Sequence, residues 1–193
     1  MRFLLRINLL ISLSLIILID LNSSMLNKNE PQGQLQPGDT IQFFNTAFSL
    51  VIPKGWKHDW INNKTELVIN PPNLSPPAEF VKITVKNLAA DERNMKITDL
   101  LLKQAKNIIS ISPIPIKLKS VIGPTDISLE NFIAGKYVAE ANPFGILIYE
   151  GYIGGVKDEE NNKILFLSGA YTKKKYTTIR SGLDLILHSI KKK

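Results

Sequence analysis

Val81, Ile83 and Val85 alternate with Lys82, Thr84 and Lys86. Successive side chains of a strand point to opposite faces, so this period of two commits the middle of the chain to a sheet with one apolar face and one wet face. Other β-rich runs surround it. Thr40–Phe44 and Phe48–Ile52 flank Asn45-Thr46-Ala47 like the arms of a hairpin, and Pro53-Lys54-Gly55-Trp56 closes the second arm. Glu66–Asn70 reads as another short strand, while Pro71–Pro77, with four prolines, reads as a rigid loop. Ile116–Ile122, Asn131–Ala139, Gly145–Ile153 and Lys163–Tyr171 complete the set. Gly123-Pro124 is expected to turn the chain, and Lys157–Asn162 to join the last two strands.

Two segments break the period of two. From Thr98 to Ile109, residues Leu100, Leu101, Ala105, Ile108 and Ile109 share one helical face opposite Lys103 and Lys106, with Thr98 as the expected N-cap. Ile179, Leu183, Ile186, Leu187 and Ile190 form a second helical stripe, and the basic tail after it suits a helix C-terminus. The expected order is β-β-β-β-α-β-β-β-β-α. This is an α+β protein, an antiparallel sheet flanked by helices in an α/β/α sandwich. It lacks the strict strand-helix alternation of a nucleotide-binding parallel sheet.

The 193 residues suffice for one core and a short appendage. No cysteine is present, which excludes disulfides, thiolate zinc sites, cysteine nucleophiles and a lipidated N-terminal cysteine. Basic residues number 24 against 17 acidic ones, and 20 of them are lysine. Nucleic-acid readers lean on arginine forks, and here the lysines cluster only at Lys173-Lys174-Lys175 and Lys191-Lys192-Lys193. A nucleic-acid partner is therefore not expected.

Arg2 and Arg6 precede or border an apolar run that ends at Ile19, before Asp20, Asn22, Ser23 and Ser24. The run from Ile7 is too short for a membrane-spanning helix and fits the apolar core of a signal peptide. Residues 1–25 are expected to be a signal peptide or, if uncleaved, an anchor held by residues 3–21. Either way everything after Asp20 is exported. Residues 26–39 read as a polar linker and 40–193 as a single domain.

Phe48-Ser49-Leu50-Val51-Ile52-Pro53-Lys54-Gly55-Trp56, then Leu67-Val68-Ile69-Asn70-Pro71-Pro72, then the mid-chain and final amphipathic helices, resemble the PsbP-like superfamily in phrase and order. The resemblance covers about residues 40–190. It implies a PsbP-like α/β/α sandwich and an exported accessory protein, non-catalytic, that docks on a membrane protein complex or an envelope protein. It also implies an alternative, an extrinsic photosystem II protein, with Ca or Mn as cofactor in that case and none otherwise, and in either reading the expected compartment is the periplasm or thylakoid lumen. A small-ligand carrier and an unrecognised enzyme are further alternatives.

The residues offer little recognisable chemistry. His58 and His188 are the only histidines, far apart in sequence, and no zinc-type spacing occurs. His58 beside Asp59 is the only candidate metal pair, and adjacent strand residues point opposite ways. His188 suits the end of its helix. Ser168-Gly169 lacks the first glycine of a nucleophile elbow, and Gly151–Gly155 lacks a phosphate-loop lysine, so those glycines read as a strand end entering a turn. No catalytic residue is assigned. Trp56 and Trp60 are candidate partner-binding aromatics, although core packing is the commoner fate of such side chains. Lys173, Lys174 and Lys175 are the candidate basic docking patch, and the domain is expected to be a monomer.

Overall fold

The computed structural model describes residues 35–43, 48–62, 65–72, 74, 79–110, 117–130, 132–142, 148–172 and 176–192. The expected signal segment, the linker up to residue 34, most of the proline-rich loop, the hairpin tip Asn45-Thr46-Ala47 and Lys173–Lys175 lie outside them.

Ten strands and two helices occur among the described residues. The strands before the first helix are β1 (Pro37–Gln42), β2 (Phe48–Pro53), β3 (Lys57–Ile61), β4 (Glu66–Asn70) and β5 (Phe80–Asn87). Helix α1 (Ile97–Ser110) follows, then β6 (Leu118–Leu129), β7 (Phe132–Ala141), β8 (Tyr149–Asp158) and β9 (Lys163–Thr172). Helix α2 (Tyr176–His188) and the two-residue β10 (Lys191–Lys192) end the chain. Seven strands pair in the order β3-β4-β5-β9-β8-β7-β6, and a separate sheet has the order β1-β2-β10. Every pairing is antiparallel.

The helix-flanked α/β/α sandwich expected from the sequence is thereby corrected. The fold is β-rich, with its strands divided between two antiparallel sheets. The β1–β2 hairpin, counted above into the main sheet, takes β10 on its other side and forms a layer of its own. Its Phe48, Leu50 and Ile52 join Ile179, Leu183, Ile186 and Leu187 of α2 in one core against Leu67, Ile83, Val138, Tyr152 and Leu165 of the large sheet. Phe48 lies 5.2 Å from the Phe132 ring of β7, which couples the two sheets directly. On the opposite face Ile97, Leu100, Leu101 and Ala105 of α1 pack on Tyr137, Ile153, Ile164 and Phe166. Each large side chain buried this fully contributes about 1.5–3 kcal/mol, so both layers are held by apolar area.

Several local expectations change for physical reasons. Gly154 and Gly155 sit inside β8, not at a strand end. A Cβ on Gly154 would lie 3.1 Å from Leu187 Cδ1, and one on Gly155 would lie 2.9 Å from Leu101 Cδ2. The missing side chains let α2 and α1 approach the two faces of one strand. Gly123-Pro124 does not turn the chain but lies within β6, where the register against β7 shifts between Ile122 and Thr125. β6 is an edge strand, and an edge tolerates a proline that cannot donate to a ladder. Thr98 is inside α1, since the carbonyl of Lys96 already accepts from the Asp99 and Leu100 amides. Pro37, Gly38 and Asp39 belong to β1 and not to a linker. The basic tail does not serve as a helix end: Lys191 and Lys192 pair with Ser49 and Phe48.

Candidate interaction face

The burial pattern of the large sheet locates its least covered surface. Along β4 and β5, Leu67, Ile69, Val81 and Ile83 are buried while Val68, Asn70, Phe80, Lys82 and Thr84 stay half-buried. β9 alternates the same way at its end, with Ser168, Ala170 and Thr172 half-buried between Gly169 and Tyr171. Register places these residues side by side. Asn70 neighbours Phe80 by extension of the β4–β5 ladder, Phe80 pairs with Ala170, and Ala170 pairs with Gly151. In the next row Asp59, Val68, Lys82 and Ser168 follow one another across β3, β4, β5 and β9.

Helix α1 covers only the other half of this face. Gly155 lies tight against Ile97 and Leu101, but a Cβ on Gly151 would meet only the Ala139 carbonyl oxygen, at 3.7 Å, among the described residues. β8 records the boundary: its residues are buried without interruption from Tyr152 to Asp158, while Gly151 is half-buried. The open half thus carries small and mixed side chains on an antiparallel frame.

Charged residues frame it. Lys82 Nζ lies 2.9 Å from Glu66 Oε2 across the open face. At its border with α1, Lys86 and Lys103 converge on the buried Glu92, at 3.2 and 3.0 Å. Burial pushes the Glu92 carboxyl up, but the Ala89 amide and the two ammonium groups outweigh it and bring the value down to about 2. Glu92 therefore stays ionised and pins the β5–α1 connection. Lys157, buried in β8, donates to the Arg93 and Met95 carbonyls at 2.6 and 3.3 Å and fixes the same segment.

The covered face holds a different polar group. Asp184 of α2 accepts from Lys136 Nζ and from Tyr152 Oη, each at 2.9 Å. Tyr171 donates to Glu150 at 3.2 Å, Arg180 lies 3.8 Å from the same carboxylate, and Glu79 accepts from the Thr172 amide and hydroxyl, each at 3.0 Å. Burial, and then the facing carboxylates, push both tyrosine hydroxyls far up, so they remain donors. No buried side-chain polar atom among the described residues lacks a partner. The bonds of Asp184 and the Arg180–Glu150 pair stitch α2 to the sheet, while Tyr171–Glu150 ties β9 to β8 and Glu79–Thr172 ties the start of β5 to the end of β9.

The residues singled out in the sequence are scattered. Trp56 is only 5% exposed, its ring pressed on α2 where a Cβ at Gly182 would collide with it. Trp60 is half-buried and meets Phe43 edge-on at 4.9 Å. Neither lies on the open half-face. His58 is half-buried and Asp59 exposed, on opposite sides of β3. Among the described residues no three metal-ligating side chains come together. Phe80, Ser168, Ala170 and Gly151 were missed. Their signal was the half-wet phase of each strand, but only the pairing of β4, β5 and β9 makes that phase a surface.

No protein-family model matches the sequence, and a search of curated proteins finds no relative. Solved structures do match. Cyanobacterial PsbP from Synechocystis is similar with a TM-score of 0.58 at 10% identity, over 87% of this chain and 99% of that one. The chain has a PsbP-like fold. The Ran-binding protein Mog1p of Saccharomyces cerevisiae matches with a TM-score of 0.54 at 7% identity, over 81% of this chain and 95% of its own. LpqN of Mycobacterium tuberculosis, described as involved in cell envelope biogenesis, matches at 0.53 and 12%, over 82% and 91%. In this PsbP-like fold the phrase Phe48–Trp56 is β2 and its exit, where Gly55 takes a φ of 85° and turns Trp56 into the core.

Proposed function

We propose that the protein is an exported, non-catalytic accessory protein that docks through the open half-face of its large sheet on a protein of a membrane complex or of the cell envelope. The observation that carries this reading is the two half-buried rows that hold Val68, Lys82 and Ser168 and, next to them, Phe80 and Ala170, which α1 leaves uncovered while the opposite face is sealed. Protein binding and envelope work are named for two proteins of the same fold, Mog1p and LpqN, and support the class of function. Export rests on the signal-like segment at residues 1–25. Among the described residues no helix is long and apolar enough to cross a membrane.

The test is a tagged pull-down from detergent-solubilised native membranes at low and high salt, with wild type and Ser168→Arg. Arginine at position 168 would stand on the open face beside Lys82. A defined complex captured by wild type, weakened by salt and lost in the variant is the expected result. Photosystem subunits among the partners would specify the extrinsic photosystem reading. A protein that elutes alone at both salts, or whose partner ignores Ser168→Arg, overturns docking at this face. A bound small molecule found by mass spectrometry of the native protein would redirect the reading to a carrier.

A further inference from the structure

We propose that the outer edge of β3 pairs with β3 of a second copy of this chain, antiparallel about a two-fold axis at His58. β3 ends the seven-stranded sheet, and among the described residues no strand pairs with its outer side. Lys57 and Asp59 stand on it exposed, and neither is in an ion pair among the described residues. Both point to the side of the open half-face, because they share a phase with Val68 and Lys82.

Charge selects the register. In an antiparallel pair of identical strands, residues directly opposite must share a face of the joined sheet, so the axis passes through a residue position and not between two. An axis at Lys57 opposes two ammonium groups, and one at Asp59 opposes two carboxylates. An axis at His58 sets Lys57 against Asp59 of the partner subunit, and Asp59 against the partner's Lys57. Opposite charges placed directly across a strand pair stabilise it, and like charges destabilise it. The sequence Lys57-His58-Asp59 is thus self-complementary on an edge that otherwise leaves backbone groups to solvent. The pairing would also join two open half-faces into one platform. It stands independently of what that face binds.

The absence of cysteine makes the test direct. Opposed residues of an antiparallel pair have Cα atoms about 4.5–5.5 Å apart, inside the span of a disulfide. His58→Cys should therefore form a covalent dimer under mild oxidation. Ile61→Cys should not, because its two thiols would be offset by six residues, about 20 Å. In sedimentation, Lys57→Glu and Asp59→Lys should each weaken self-association about tenfold or more, and the double variant should restore it. The charge swap leaves residue 58 untouched and covers the case in which His58→Cys does not fold. A chain that stays monomeric up to about 1 mM, a dimer cross-linked by Ile61→Cys and not by His58→Cys, or a swap that restores nothing would each overturn the proposal. So would an edge captured by another protein's strand without any self-pairing.

Discussion

The two faces of the seven-stranded sheet come from the same strands in alternate phase, yet they are covered differently. On one face α2 and the small sheet cover β5, β9 and β8, and Leu67, Ile83, Leu165 and Leu183 reach full burial. On the other α1 covers β6, β7, β8 and the start of β9 and stops, leaving β4, β5 and the end of β9 half-buried. The first face is sealed along its length, whereas the second is sealed only under α1, and its uncovered half is the proposed docking surface. Substitutions at matched places should separate them.

The largest contrast is cavity against surface. Leu183→Ala empties a fully buried site under α2 and should cost about 2–5 kcal/mol, read as a lower denaturation midpoint. Val68→Ala on the open face should cost well under half of that, since little of its neighbourhood is sealed. Equal losses at the two sites would break the comparison. A second contrast lies within one strand. Gly155→Ala presses on Leu101 and Ile97 and should cost about 1–3 kcal/mol by overpacking, while Gly151→Ala should stay within about 0.5 kcal/mol.

The polar ties come next. Asp184→Ala strands Lys136 and the buried Tyr152 hydroxyl and should cost about 1–3 kcal/mol. Glu92→Gln should cost a similar amount, about 1.5–3 kcal/mol, with a distinctive pH profile. The folded Glu92 value is lowered from 4.5 to about 2, so the unfolded state binds the proton first. Its stabilisation is complete above about pH 4.5 and fades as pH falls through about 2, so wild type and variant should converge over that window. A difference that persists unchanged at pH 2 would show that packing, and not charge, fixes the β5–α1 connection.

Much of the sealed face was legible in the sequence, because alternation fixes which side of a strand is apolar. Val81, Ile83 and Val85 and the stripe Ile179–Leu187 needed no partner to be recognised. β3 was not legible: Lys57-His58-Asp59 carries three polar residues in a strand of five, and only pairing with β4 makes it a strand. The second sheet escaped for a similar reason, since β10 is two lysines that join β2 from more than a hundred residues away. Gly154 and Gly155 looked like a turn because a glycine's missing side chain says nothing of what will fill the space. The open face escaped because coverage is a property of where α1 lies, and no local pattern states where a helix ends its cover.

The smallest expected effect on stability is the sharpest test of the division. Lys82→Glu removes a half-exposed pair with Glu66 and sets two carboxylates near each other on the open face. Such surface pairs contribute about 0–1 kcal/mol, so the denaturation midpoint should scarcely move. Docking should respond far more, because reversing a charge on the bound surface weakens a complementary partner and alters its salt dependence. If Lys82→Glu leaves the fold intact and abolishes the salt-sensitive complex, the open face binds without holding the domain together. If it unfolds the domain, Lys82 belongs to the stabilising half, and the division between the faces fails where the docking surface was placed.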